Sequence, residues 1–101
     1  MNNLFWEAGD IRLFYREIKS MAKSTMLDVS SLKPIIISNI DSDRVLNADI
    51  SYPILVLVDG DDLVSILDGN HRVVKALEMS VEQLPSLVVD IKCDDRLKIL
   101  K

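Results

Sequence analysis

Residues 54–78 read ILVLVDGDDLVSILDGNHRVVKALE, and three changes of pattern within them decide the fold. Ile54 to Val58 is apolar at every position, which marks a strand covered on both faces. Asp59-Gly60-Asp61-Asp62 then supplies hairpin-turn chemistry, and Leu63 to Leu67 returns as the partner strand. Asp68-Gly69-Asn70-His71-Arg72 follows directly, leading into Val73-Val74-Lys75-Ala76-Leu77-Glu78 with helical spacing. Strand, glycine turn and helix start therefore coincide at Gly69.

Working outward, Leu87-Val88-Val89 predicts a final strand, reached from Ser80 and Gln83 through a short helical turn to Leu84 on capping-box spacing. The tail from Asp94 to Lys101 predicts one further helical turn. Toward the amino terminus, Leu27-Asp28-Val29-Ser30-Ser31-Leu32 alternates like a short strand entering a turn at Lys33-Pro34. The polar stretch Asp41 to Asp49 fits a helical segment or an ordered loop. Asp10 is placed to cap an amphipathic helix with Ile11, Phe14, Tyr15, Ile18 and Met21 on one face. Leu4-Phe5-Trp6 stands before it, suited to packing on the domain or to a partner.

These elements predict an α+β domain, a small mixed sheet flanked by helices. Its 101 residues match about one domain. Within it, 1–26 is expected to be a helical extension, 27–93 the core and 94–101 a tail. Twelve Lys and Arg against sixteen Asp and Glu give a net charge of −4, which disfavours binding to nucleic acid through phosphate neutralisation. The lone Cys93 makes neither an intrachain disulfide nor a zinc site, as expected of a reduced, cytoplasmic protein, and it is expected to be buried or half-buried at a strand end. No stretch approaches the ~18 apolar residues of a membrane span.

The chemistry concentrates at the glycine turn. A helix amino terminus presents unpaired N–H groups and a partial positive charge, and a glycine lets an anion approach them. At about 100° per residue, His71, Arg72 and Lys75 fall away from the apolar Val73, Val74 and Leu77. Gly69, Asn70, His71, Arg72 and Lys75 thus form a candidate phosphate cradle, with His71 and Asp68 as the acid or base of any catalysis. Asp68 or Asn70 serving only as a helix cap, with Arg72 and Lys75 paired to nearby acids, is the structural alternative. Asp59, Asp61 and Asp62 lie at the far end of the hairpin from Asp68, so no shared metal site is expected. Asp68 alone remains to help hold Mg²⁺ beside a phosphate.

Residues 52–89, YPILVLVDGDDLVSILDGNHRVVKALEMSVEQLPSLVV, resemble the ParB/sulfiredoxin superfamily over about two fifths of the chain. The resemblance implies a small α+β domain that binds a nucleoside triphosphate or diphosphate, with Gly69, Asn70, His71 and Arg72 on the phosphate loop. Members take CTP in chromosome-partitioning proteins, ATP in sulfiredoxin, and ADP or ATP in a free-serine kinase. Asn70 stands where sulfiredoxin has its catalytic cysteine, which argues against sulfinic-acid reduction. Asn70-His71-Arg72 replaces the Glu-Arg-Arg of the partitioning proteins, and no helix-turn-helix stretch follows, which argues against a DNA clamp. Ser80 stands where the family commonly ends this helix with glycine.

Two functions follow as expectations. The first is nucleotide or phosphate binding at Gly69 to Arg72 and Lys75, with weak phosphoryl-transfer or hydrolase activity as its extension. The second is a noncatalytic acidic interaction or inhibitor protein, for example a phage protein acting on a host factor through Leu4-Phe5-Trp6 or the Asp59 to Asp62 turn.

Overall fold

The computed structural model describes the backbone of residues 8–100 and the side chains of residues 15–100. The helix expected to be capped by Asp10 is formed, but it already includes Ala8, so Asp10 lies within it and is not its cap; the side chains of Ile11 and Phe14 and the Leu4-Phe5-Trp6 segment lie outside the described residues. The helices are α1 (Ala8–Met21), α2 (Val29–Leu32), α3 (Ser42–Asn47) and α4 (Asn70–Glu78). The strands are β1 (Lys23–Asp28), β2 (Ile54–Asp59), β3 (Asp62–Asp68) and β4 (Gln83–Asp90). The class is α+β, built on a mixed sheet ordered β1-β4-β2-β3.

β2 is a central strand, antiparallel to β3 and parallel to β4, and its apolar run is explained by what lies on each side. Ile54, Val56 and Val58 pack with Val29, Leu32, Ile66, Val73, Ala76 and Leu84 beneath α2 and α4. Leu55 and Leu57 pack on the other face with Ile18 of α1, Val89, Ile91 and Leu97. Every position from Ile54 to Val58 therefore loses apolar surface to a neighbour, at roughly 25 cal/mol per Å² removed from water. The hairpin loop is Gly60-Asp61, with Gly60 at φ +61° as a first central residue of type II′ requires. The parallel β2–β4 pairing needs a crossover, and α4 lies on it.

Three further local expectations are corrected. The first strand runs over Lys23–Asp28, paired antiparallel with β4, and not onward from Leu27. Its strand pattern is hidden because four of its first residues, Lys23 to Met26, are exposed at the sheet edge. Val29 and Leu32, three apart, instead bury one side of the short helical turn α2. Second, no helical turn spans Ser80 to Leu84, and β4 begins at Gln83 rather than Leu87. Ser80 has φ +58° and closes α4: its N–H donates to Leu77 O, and the Val81 N–H donates to Ala76 O. That pair of bonds is a Schellman motif with serine in the left-handed position. Third, Cys93 is exposed, because Ile91 fills the buried place at the end of β4. The tail carries the helical segment expected of it, as a 3-10 helix over Asp95–Leu100 that buries Leu97 against the α1 face of the sheet.

The open stretch Asp41 to Asp49 contains α3, started by Asp41, whose carboxylate accepts from the Asp43 and Arg44 N–H groups. Pro85 sits one residue before the β2 pairing begins at Ser86, where β4 is flanked by β1 alone and a missing N–H is tolerated.

Candidate functional site

The end of β3 and the start of α4 meet at Gly69, whose φ of +106° turns the chain into the helix. A Cβ at this position would lie 2.5 Å from Ile54 Cγ2 and 2.9 Å from Ile54 Cβ, and 3.2 Å from an Arg72 guanidinium nitrogen. Close packing of α4 on β2 thus requires the glycine. The helix start faces a pocket of about 250 Å³ lined by Arg44, Asn47, Ala48, Asp49, Tyr52, Asp68, Gly69, His71 and Arg72. One wall is the β3–α4 junction. The other is segment 44–52, which folds back over it.

The residues singled out in the sequence divide here. Gly69, His71, Arg72 and Asp68 line this pocket together. Asn70 is only 8% exposed: its side chain accepts from the Ile37 N–H at 3.1 Å and donates to Ile66 O at 3.3 Å, fastening the chain around the junction. Lys75 turns to segment 41–53, where Nζ donates to Leu46 O and Ala48 O at 2.9 and 2.8 Å. The helical wheel places Lys75 on the polar side correctly but carries no information about a remote segment lying over that side.

His71 accepts the Asp41 N–H on Nε2 at 3.2 Å. That bond requires a lone pair on Nε2, so the neutral ring carries its proton on Nδ1. Arg72 donates to Pro53 O at 2.8 Å and faces Asp68 at 3.7 Å. Asp68 also accepts the Tyr15 hydroxyl at 2.6 Å, linking the site to α1 across the sheet edge. Burial, followed by that hydrogen bond, pushes the Tyr15 phenol up to about 12. Asp49 is held below the ordinary carboxylate range, first by the Ser51 hydroxyl and then by the Ser51 N–H.

Arg44, Asn47, Ala48, Asp49 and Tyr52 are the pocket residues that the sequence reading missed. The signal for them is Asp41 placed as an N-cap ahead of Val45 and Leu46, which makes a helix of the ambiguous stretch and puts Arg44 on it. Arg44 makes no ion pair among the described residues, and Tyr52 is 63% exposed at the rim. Two guanidiniums, an imidazole and a helix amino terminus together favour an anionic group, while Asp49 and Asp68 limit how much negative charge fits.

Wider grooves of about 520 and 430 Å³ open elsewhere. The first carries Asp28 and Glu82 as its charged groups, and the second has Lys23, Lys92 and Asp90 around Met21, Val58, Val88 and Cys93. Size alone does not select between them and the smaller pocket; only the latter sits on a helix amino terminus with converging cations. The Asp59 to Asp62 turn lies at the opposite end of β3, about 20 Å from Asp68 at ~3.3 Å per residue. Lys92 pairs with Asp59 there at 3.7 Å. Among the described residues no three His, Cys, Asp or Glu side chains converge as a metal site, and no helix is long and apolar enough to cross a membrane. No protein-family model, curated protein or solved structure matches the chain.

Proposed function

We propose that the protein binds a phosphate-bearing ligand, a nucleoside diphosphate or triphosphate foremost, in the pocket at the amino terminus of α4. The observation that carries this reading is the convergence of Arg44, His71, Arg72 and Gly69 on one 250 Å³ pocket at the start of a nine-residue helix. That volume suits a phosphate group with part of its attached molecule, leaving a base to lie outward against the exposed ring of Tyr52. The resemblance of residues 52–89 to the ParB/sulfiredoxin superfamily supports the same ligand class. Mg²⁺ would join the phosphate through Asp68, and the cytoplasm would supply the nucleotide. Any turnover would fall to His71 and Asp68, the titratable groups nearest the helix start.

Titration with ATP, ADP, CTP and inorganic phosphate, followed by amide chemical shifts, tests the proposal. Binding at or below millimolar concentration should move the Asn70, His71 and Arg72 amides most, and Arg72→Ala should weaken it because a guanidinium clamps an oxyanion through two donors. Absence of shifts at these amides with all four probes at 10 mM, roughly the weakest binding class for a specific ligand, rejects the reading. A second reading, an acidic interaction protein, draws on Leu46 and Tyr52, 73% and 63% exposed on the segment that also carries Asp41, Asp43 and Asp49. It is favoured if a copurifying protein is lost on Leu46→Ser while phosphate binding is absent.

A further inference from the structure

Lys75 lies one turn beyond Arg72 on α4, yet its ammonium is taken up by two carbonyls of another segment, Leu46 O and Ala48 O. Those carbonyls stand at the end of α3, where helical acceptors have no partner of their own and the helix dipole is negative. A helix of six residues does not hold its shape alone in water. α3 is therefore held from outside, by the buried Val45, by the Asp41 N–H on His71 Nε2 and by Lys75 at its far end. Arg44 sits between these attachments, lines the pocket and has no ion-pair partner among the described residues.

We propose that Lys75 is a positioning residue that fixes α3 so that Arg44 faces the start of α4 across the pocket. An anion bound there is clamped between Arg44 on one wall and Arg72 with the α4 N–H groups on the other, while Lys75 makes no contact with it. This inference rests on the anion-site reading above. It assigns to Arg44 the second cationic contact that the helical wheel gives to Lys75.

A double-mutant cycle tests it, with inorganic phosphate as the probe, calorimetry at constant ionic strength and hydrogen exchange as a second readout. Arg44→Ala should weaken phosphate by about tenfold, as expected for loss of one charge-assisted contact. Lys75→Met should weaken it comparably, and the double variant should lose no more than the worse single one. Exchange over 42–48 should quicken in Lys75→Met with the sheet amides unchanged, and Lys75→Arg, which keeps a donor for both carbonyls, should restore most of the affinity. Losses that multiply in the double variant mean that Lys75 touches the anion itself, and they overturn the inference, as does an Arg44→Ala variant that binds like wild type. Failure of the wild type to bind phosphate is a different result: it removes the site reading and this inference with it.

Discussion

A methyl group at position 69 would come within 2.5 Å of Ile54, a residue with no exposure at all, and the backbone there lies at φ +106°. Gly69→Ala therefore combines backbone strain with overpacking, and it should destabilise the fold by about 3 kcal/mol in urea denaturation. Gly60 supplies the control: its φ is +61° but nothing lies within 4 Å of the added atom, so Gly60→Ala should cost only about 1 kcal/mol. Equal losses in the two variants would show that the contact with Ile54 does not matter. The residue types at this junction are legible in the sequence, since a strand, a glycine and a polar helix start follow one another directly. Their individual assignments are less so. Asn70 and Lys75 look like ligand contacts because their remote partners, Ile37, Leu46 and Ala48, are set by tertiary folding rather than by spacing.

α4 ends with Ser80 at φ +58°, in the place where a Schellman motif favours glycine. An L side chain pays a steric penalty in that conformation, so Ser80→Gly should raise stability by about 1 kcal/mol while leaving the pocket at the other end of α4 unchanged. A lowered urea midpoint for this variant would mean that the serine has a role beyond ending the helix. The same residue shows why elements were read unevenly from the sequence. Ser80 and Gln83 match the spacing that starts a helix, but Ser80 is already committed to finishing one, and a spacing rule does not say which end it describes. β2 and α4 were legible because burial imposes a strict pattern on them. β1 was not, since an edge strand exposed over most of its length needs no apolar alternation and owes its existence to its partner, β4.

Across the whole molecule, two cores lie on opposite faces of one sheet, and polar contacts at its margins tie the layers together. Arg96 bonds both Glu17 on α1 and Asp94, whose carboxyl it holds down at about 2. Tyr15 of α1 donates to Asp68 beside α4. Folding raises the Tyr15 phenol from its ordinary 10.0 to about 12, so it favours the protonated form. The corresponding stability is fully present below pH 10 and is lost as pH rises toward 12. Urea denaturation over that interval should show the wild type losing about 1 kcal/mol more than Tyr15→Phe, after allowance for partial exposure. Parallel slopes would dissociate the phenol from stability. The contact at Gly69 also fixes the mechanical character of the pocket. The α4 wall rests on Ile54 with no slack, in an interior as dense as an organic crystal. The facing wall is held by the packing of Val45 and Ile50 together with polar bonds from Arg72, His71 and Lys75 to main-chain groups of residues 41–53. The two walls are thus built differently, and a substitution on the 41–53 side reshapes the pocket without touching the contact between Gly69 and Ile54.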